Sequence, residues 1–135
     1  VKVSPSTTAS AHGFSLIEVS LVIALLLALS TFAGLTVTSV RNWQRAKDAS
    51  LSLQAVFAAQ RAYLADHPTA NIASVNSAQL QAYLPSGWSE LPSFTGLANE
   101  ALTLDHTVMP PVLYANGAVY DPSGKPDDGL WDTGR

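Results

Sequence analysis

HGFSLIEVSLVIALLLALS, residues His12 to Ser30, is the stretch on which the architecture of this chain turns. Glu18 is its only carboxylate, and it stands five residues past Gly13 at the head of the most apolar part of the sequence. From Val19 to Val40 there is no Asp, Glu, Lys or Arg, a run of 22 residues. At about 1.5 Å per residue such a run makes roughly 33 Å of helix, close to the hydrocarbon thickness of a bilayer. An ionised side chain inside a spanning helix costs about 2.5–3.5 kcal/mol, so Glu18 requires a partner of opposite charge.

Toward the C-terminus the pattern changes without a helix breaker, because no proline occurs between Ser15 and Asp66. Leu53, Val56, Phe57, Gln60 and Leu64 follow helical spacing, and Pro68 after His67 is the first strong stop. The spacing predicts one helix of about fifty residues, its second half an amphipathic spine for a small head. A pair of helices broken near Gly34 is the alternative.

The rest of the chain reads in short pieces. NSAQLQAYLP, Asn76 to Pro85, has a capping Asn76 or Ser77 and Leu80 and Leu84 four residues apart, which predicts a two-turn helix. SGWSELPSFTGLANE is punctuated by Gly and Pro and reads as loop. ALTLDHTV alternates Leu102, Leu104 and His106 with polar neighbours, a strand signal. In PPVLYANGAVYDPSG the runs Val112 to Ala115 and Ala118 to Asp121 flank Asn116-Gly117, the dipeptide suited to a two-residue type I′ hairpin. The expected fold class is therefore α+β: a long N-terminal helix packed on a head of about three antiparallel strands.

Composition restricts function. In 135 residues there is room for one small domain beside the apolar segment, with 13% charged residues and a net charge of −3. No basic stripe marks a nucleic-acid interface. With no cysteine the chain has neither a disulfide nor a thiolate site. His67 and His106 beside plentiful serines match the background expected of any such chain, and no catalytic residue is assigned. Trp43, just past the apolar run, suits a membrane interface, whereas Trp88 and Trp131 suit packing in the head. Asp121, Asp127, Asp128 and Asp132 lie in a Gly-rich C-terminal loop and are candidate oxygen ligands for calcium, although Lys125 interrupts them and the spacing is not that of an EF-hand.

GFSLIEVSLVIALLLALS resembles the class III signal of type IV pilins and type II secretion pseudopilins: Gly13, Phe14, the Ser15-Leu16-Ile17 run, Glu18 fifth after the glycine, then an uninterrupted apolar helix. The resemblance covers roughly residues 12 to 45 directly, and the helix-then-hairpin order extends it to the head. It implies that a prepilin peptidase cuts after Gly13 and methylates Phe14. Further partners implied are other pilin or pseudopilin subunits and an inner-membrane assembly platform, with Glu18 as the assembly residue. The expected divisions are a leader at 1–13, a transmembrane and assembly helix at 14–40, and a pilin-like head at 41–135, held outside the cytoplasm by a single pass through the bacterial inner membrane. A family-typical basic residue before the glycine is replaced by His12. Arg41, Arg45 and Lys47 follow the span, which a bare positive-inside count would place in the cytoplasm, and the cleavage motif outranks that count. Absence of cysteine tilts the resemblance toward pseudopilins or cysteine-free minor pilins. Two other readings lead to different N-termini: a membrane-tethered binding domain that does not polymerise, and a secreted monomer cut within ALSTFAG, Ala28 to Gly34.

Overall fold

The computed structural model describes residues 1–4 and 13–134. Most of the expected leader, including His12, and the terminal Arg135 lie outside the described residues. The chain forms two compact units, Val1–Thr38 and Ser39–Arg135.

Helix α1 runs from Leu16 to Asp66, 51 residues, and continues through Gly34. One glycine in a helix interior costs about 1 kcal/mol, which the flanking Leu and Ala residues outweigh, so the helix does not break at Gly34. Termination follows from Pro68, which disfavours helical geometry at His67, and the last turn closes with His67 N–H on Tyr63 O at 2.9 Å.

In the second unit, α1 buries one face. Ala46, Ala49, Leu53, Val56, Ala59 and Tyr63 are buried, and Ser50 and Gln60 are enclosed with them. Leu53 and Val56 are fully covered, each contributing about 1.5–3 kcal/mol of apolar burial. Phe57, expected in this face, is half-buried beneath the Arg61 guanidinium, 5.8 Å from its ring centroid.

After α1, a 3₁₀ turn at Ile72–Ser74 leads into α2, Ser77–Gln81. Asn76 caps α2 in a reciprocal box: its side chain accepts from Gln79 N–H, and Gln79 Oε1 accepts from Asn76 N–H, both at 2.9 Å. The helix is shorter than the expected two turns, because Tyr83 N–H and Leu84 N–H tighten onto carbonyls three residues back. Leu80 is buried with Tyr63 and Val75, which closes the far end of the spine.

Four strands rather than three form the sheet, in the order β1 (Phe94–Thr95), β2 (Ala101–Asp105), β3 (Val112–Ala115), β4 (Ala118–Val119), all antiparallel. The extra strand, β1, lies inside the stretch read as loop. It has two residues, too few for any alternation to appear in the sequence, and it is held by pairing of Phe94 with Leu102 and Thr95 with Ala101. The β3–β4 hairpin turns at Asn116-Gly117 as the sequence predicts, though β4 ends at Val119 and not Asp121: Tyr114 faces Val119, Ala115 faces Ala118, and Asn116 and Gly117 have φ of 52° and 80°. Phe94, Leu102, Leu113 and Trp131 meet Ala46, Ala49 and Leu53 in one core.

Candidate functional site

Gly13, Phe14 and Ser15 precede the first turn of α1 and lie outside regular structure. Phe14 is 82% exposed, and a Cβ on Gly13 would meet nothing within 4 Å. Open, non-helical backbone of this kind is what a peptidase can engage. The helix begins at Leu16 because Ser15 closes it: Ser15 Oγ accepts from Glu18 N–H at 3.2 Å, and Ser15 O accepts from Val19 N–H at 3.0 Å. Ser15, named in the sequence only as part of the motif, is thus the cap of α1. Its signal was present as the Ser-x-x-Glu spacing that marks a helix start.

Glu18 thus occupies the first turn of α1, where the positive end of the helix favours a carboxylate by about 0.3–1 kcal/mol. Its side chain is exposed, and no hydrogen bond or ion pair among the described residues engages the carboxylate.

Beyond Glu18 the helix is long and apolar enough to cross a membrane, with a mean hydropathy of 2.4 over its most apolar window, none of it buried by the rest of the chain. Its hydroxyls turn inward on their own backbone. Ser20 Oγ donates to Ile17 O, Ser30 Oγ to Leu26 O and Thr31 Oγ1 to Leu27 O at 2.8–2.9 Å. Thr36 Oγ1 and Thr38 Oγ1 donate to Phe32 O and Gly34 O at 3.1 and 3.2 Å. Hydroxyls satisfied in this way need no water, which suits surroundings that cannot supply it.

The C-terminal aspartates are spent mainly on local closure. Asp132 Oδ1 accepts from Gly129 N–H at 2.9 Å and Gly134 N–H at 2.7 Å, and Asp128 Oδ1 accepts from Leu130 N–H at 2.9 Å. Asp121 Oδ1 accepts from Ser123 Oγ. Partial desolvation opposes ionisation of Asp128, yet its hydrogen bonds and the nearby Lys125 charge hold its carboxyl below the usual range. Asp121, Asp127 and Asp132 line one recess of about 170 Å³, and Asp128 interacts with Asp132, but among the described residues no group of three or more His, Cys, Asp or Glu is arranged to hold a metal. The loop instead straps the spine: Trp131 N–H donates to Ala46 O at 3.3 Å and Gln54 Nε2 to Thr133 O at 3.1 Å.

Trp131 is buried edge-on against Tyr120, with ring centroids 4.9 Å apart, and holds φ of 64°. A bulky residue rarely adopts that backbone, so its packing must outweigh the cost. Trp88 is half-buried and Trp43 is 56% exposed. His67 stacks on Tyr63 at 4.4 Å with Nδ1 3.1 Å from Tyr63 O, and His106 presents its carbonyl to Gln60.

Comparison with protein-family models, with curated proteins and with solved structures finds no match to this chain.

Proposed function

We propose that this chain is a structural subunit of a filament assembled at the bacterial inner membrane, either a type II secretion pseudopilus or a type IV pilus. In this reading a prepilin peptidase cuts after Gly13 and methylates Phe14, and an assembly platform then adds the subunit to its neighbours. What supports the reading is the junction of the Gly13-Phe14-Ser15-Leu16-Ile17-Glu18 motif with an apolar helix that continues unbroken to Asp66 as the spine of a head.

Magnitudes give Glu18 its role. The helix end supplies about 0.3–1 kcal/mol, against about 2.5–3.5 kcal/mol for a carboxylate within a span. The local interaction falls short, so a cation must make up the difference. Cleavage after Gly13 creates one, the amine of Phe14, and in a stack of identical subunits the amine of one chain meets Glu18 of the next. A slip of one helical turn would leave both charges unpaired in a low-dielectric core, so the pair sets register as well as partner.

The mature N-terminus tests the reading. Mass spectrometry of the protein recovered from membranes should find N-methylated Phe14. An uncut N-terminus would favour the tethered binding domain, and a cut near Gly34 the secreted monomer.

A further inference from the structure

The two flanks of the spine carry opposite charge. On one flank, Arg45, Asp48 and Ser52 of α1 line a recess of about 290 Å³ with Thr95 and Asn99, and Arg45 Nη1 donates to Asn99 Oδ1 at 3.4 Å. Arg41, one turn earlier, is exposed on the same face of the helix. Two guanidinium groups therefore stand against the single carboxylate of Asp48.

On the other flank lies the C-terminal strap. Gly129 sits where a Cβ would come within 3.5 Å of Lys47 Nζ, and Thr133 is bonded to Gln54, one heptad beyond Lys47 on the same helix face. At about 100° per residue, Arg45 and Lys47 point roughly 200° apart, so recess and strap lie on opposite sides of the helix. Asp127 and Asp128 are exposed on the strap, Asp121 and Asp132 line the same recess as Asp127, and Lys47 beside Gly129 and Lys125 beside Asp128 are the cations. Four carboxylates against two ammonium groups leave this flank acidic.

We infer that the Arg41–Arg45 flank of one subunit docks the Asp127–Asp128 strap of a second copy, in a head-to-tail contact between unlike surfaces. Such a contact does not close on itself in a pair, because each copy keeps one unused flank, and it continues into a ring or an open helix. Opposed charge specifies which flank meets which and makes the contact weaken with salt. The inference rests on the filament reading for its occupant, and it adds the surfaces through which the heads meet.

The chain has no cysteine, so engineered thiols report without background. In the full-length protein in its membrane, Arg45→Cys with Asp128→Cys on one chain should give an oxidised ladder that extends past the dimer, while each single substitution stays monomeric. Ser52→Cys with Asp127→Cys repeats the test and leaves the Asp128 bond to Leu130 intact. Arg45→Glu should lower sheared-filament yield by roughly tenfold, and Asp128→Lys on the same chain should restore it. Both cysteine pairs stopping at a dimer, or giving no cross-link, would overturn the contact. Filaments without a ladder would overturn the contact alone. A ladder in membranes without sheared filaments would uphold the contact and sink the filament reading.

Discussion

Gln60 and His106, 46 residues apart, are joined by a hydrogen bond of 2.8 Å from the fully buried Gln60 Nε2 to the His106 carbonyl. The second amide hydrogen goes to Val108 O at 2.9 Å. One side chain of the spine thus holds the chain that leaves β2, while its buried Oε1 has no partner among the described residues. Gln60→Leu should strip both carbonyls of their donor and cost about 1–3 kcal/mol, read as a lower denaturant midpoint. Gln60→Glu should cost more at neutral pH, since a carboxylate would face two carbonyl oxygens in a buried site.

If the spine supplies the core, a fragment beginning at Ser39 should fold, and one beginning at Pro68 should not. The longer fragment keeps Leu53, Val56 and Tyr63, which the shorter lacks. Circular dichroism separates the outcomes, and a cooperative melt from the shorter fragment would contradict the expectation. The longer fragment also tests calcium. If Asp121, Asp127, Asp128 and Asp132 ligate calcium, a chelator should lower the fragment's thermal midpoint and millimolar calcium should restore it; no shift would leave the loop as a strap alone.

Gly96 is buried, and a Cβ there would collide with the carboxyl of Glu100, itself half-buried. Because that carboxyl is the far end of a flexible side chain, it can swing aside, so Gly96→Ala should cost the head less than about 1 kcal/mol, and Glu100→Ala in the same chain should remove the cost. Thermal melts of the single and double variants provide the comparison.

Acid should weaken the head in part through Asp105. Its side chain accepts from Thr107 Oγ1 at 2.6 Å and Thr107 N–H at 2.9 Å, and these bonds hold its carboxyl below the usual range. A folded-state value below the unfolded one means that the contribution is complete above about pH 4 and lost as pH falls further. Asp105→Asn should flatten that part of the stability profile in urea titrations at successive pH values.

Glu18→Gln keeps size and hydrogen-bonding capacity and removes the charge. Insertion should be at least as good as in the parent and cleavage after Gly13 should persist, because Gly13 and Phe14 are untouched. Filament assembly should fail, since breaking a buried pair from one side costs about 3–5 kcal/mol. The measurement is the processed protein in sheared filaments against that held in membranes, in cells lacking the parent. Parental yield would return Glu18 to the role of a first-turn residue at a helix end.

Local chemistry alone determined the long helix, the Asn76 cap and the Asn116-Gly117 hairpin, because each depends on residues adjacent in the chain: an apolar run with no breaker, an amide three residues from its acceptor, two positions that tolerate positive φ. The same holds for the motif around Gly13 and Glu18, which is contiguous. Tertiary structure decided what those cues cannot reach. Phe94 and Thr95 form a strand only because Leu102 and Ala101 lie beside them, and Gln60 is enclosed rather than solvated because two carbonyls from beyond β2 arrive at its amide. The backbone N–H groups that Asp128 and Asp132 bond, and the laying of their loop along the spine at Ala46 and Gln54, are likewise products of the fold. Long-range pairings of this kind leave no periodic mark on the residues that make them, since their stabilisation comes from partners distant in sequence.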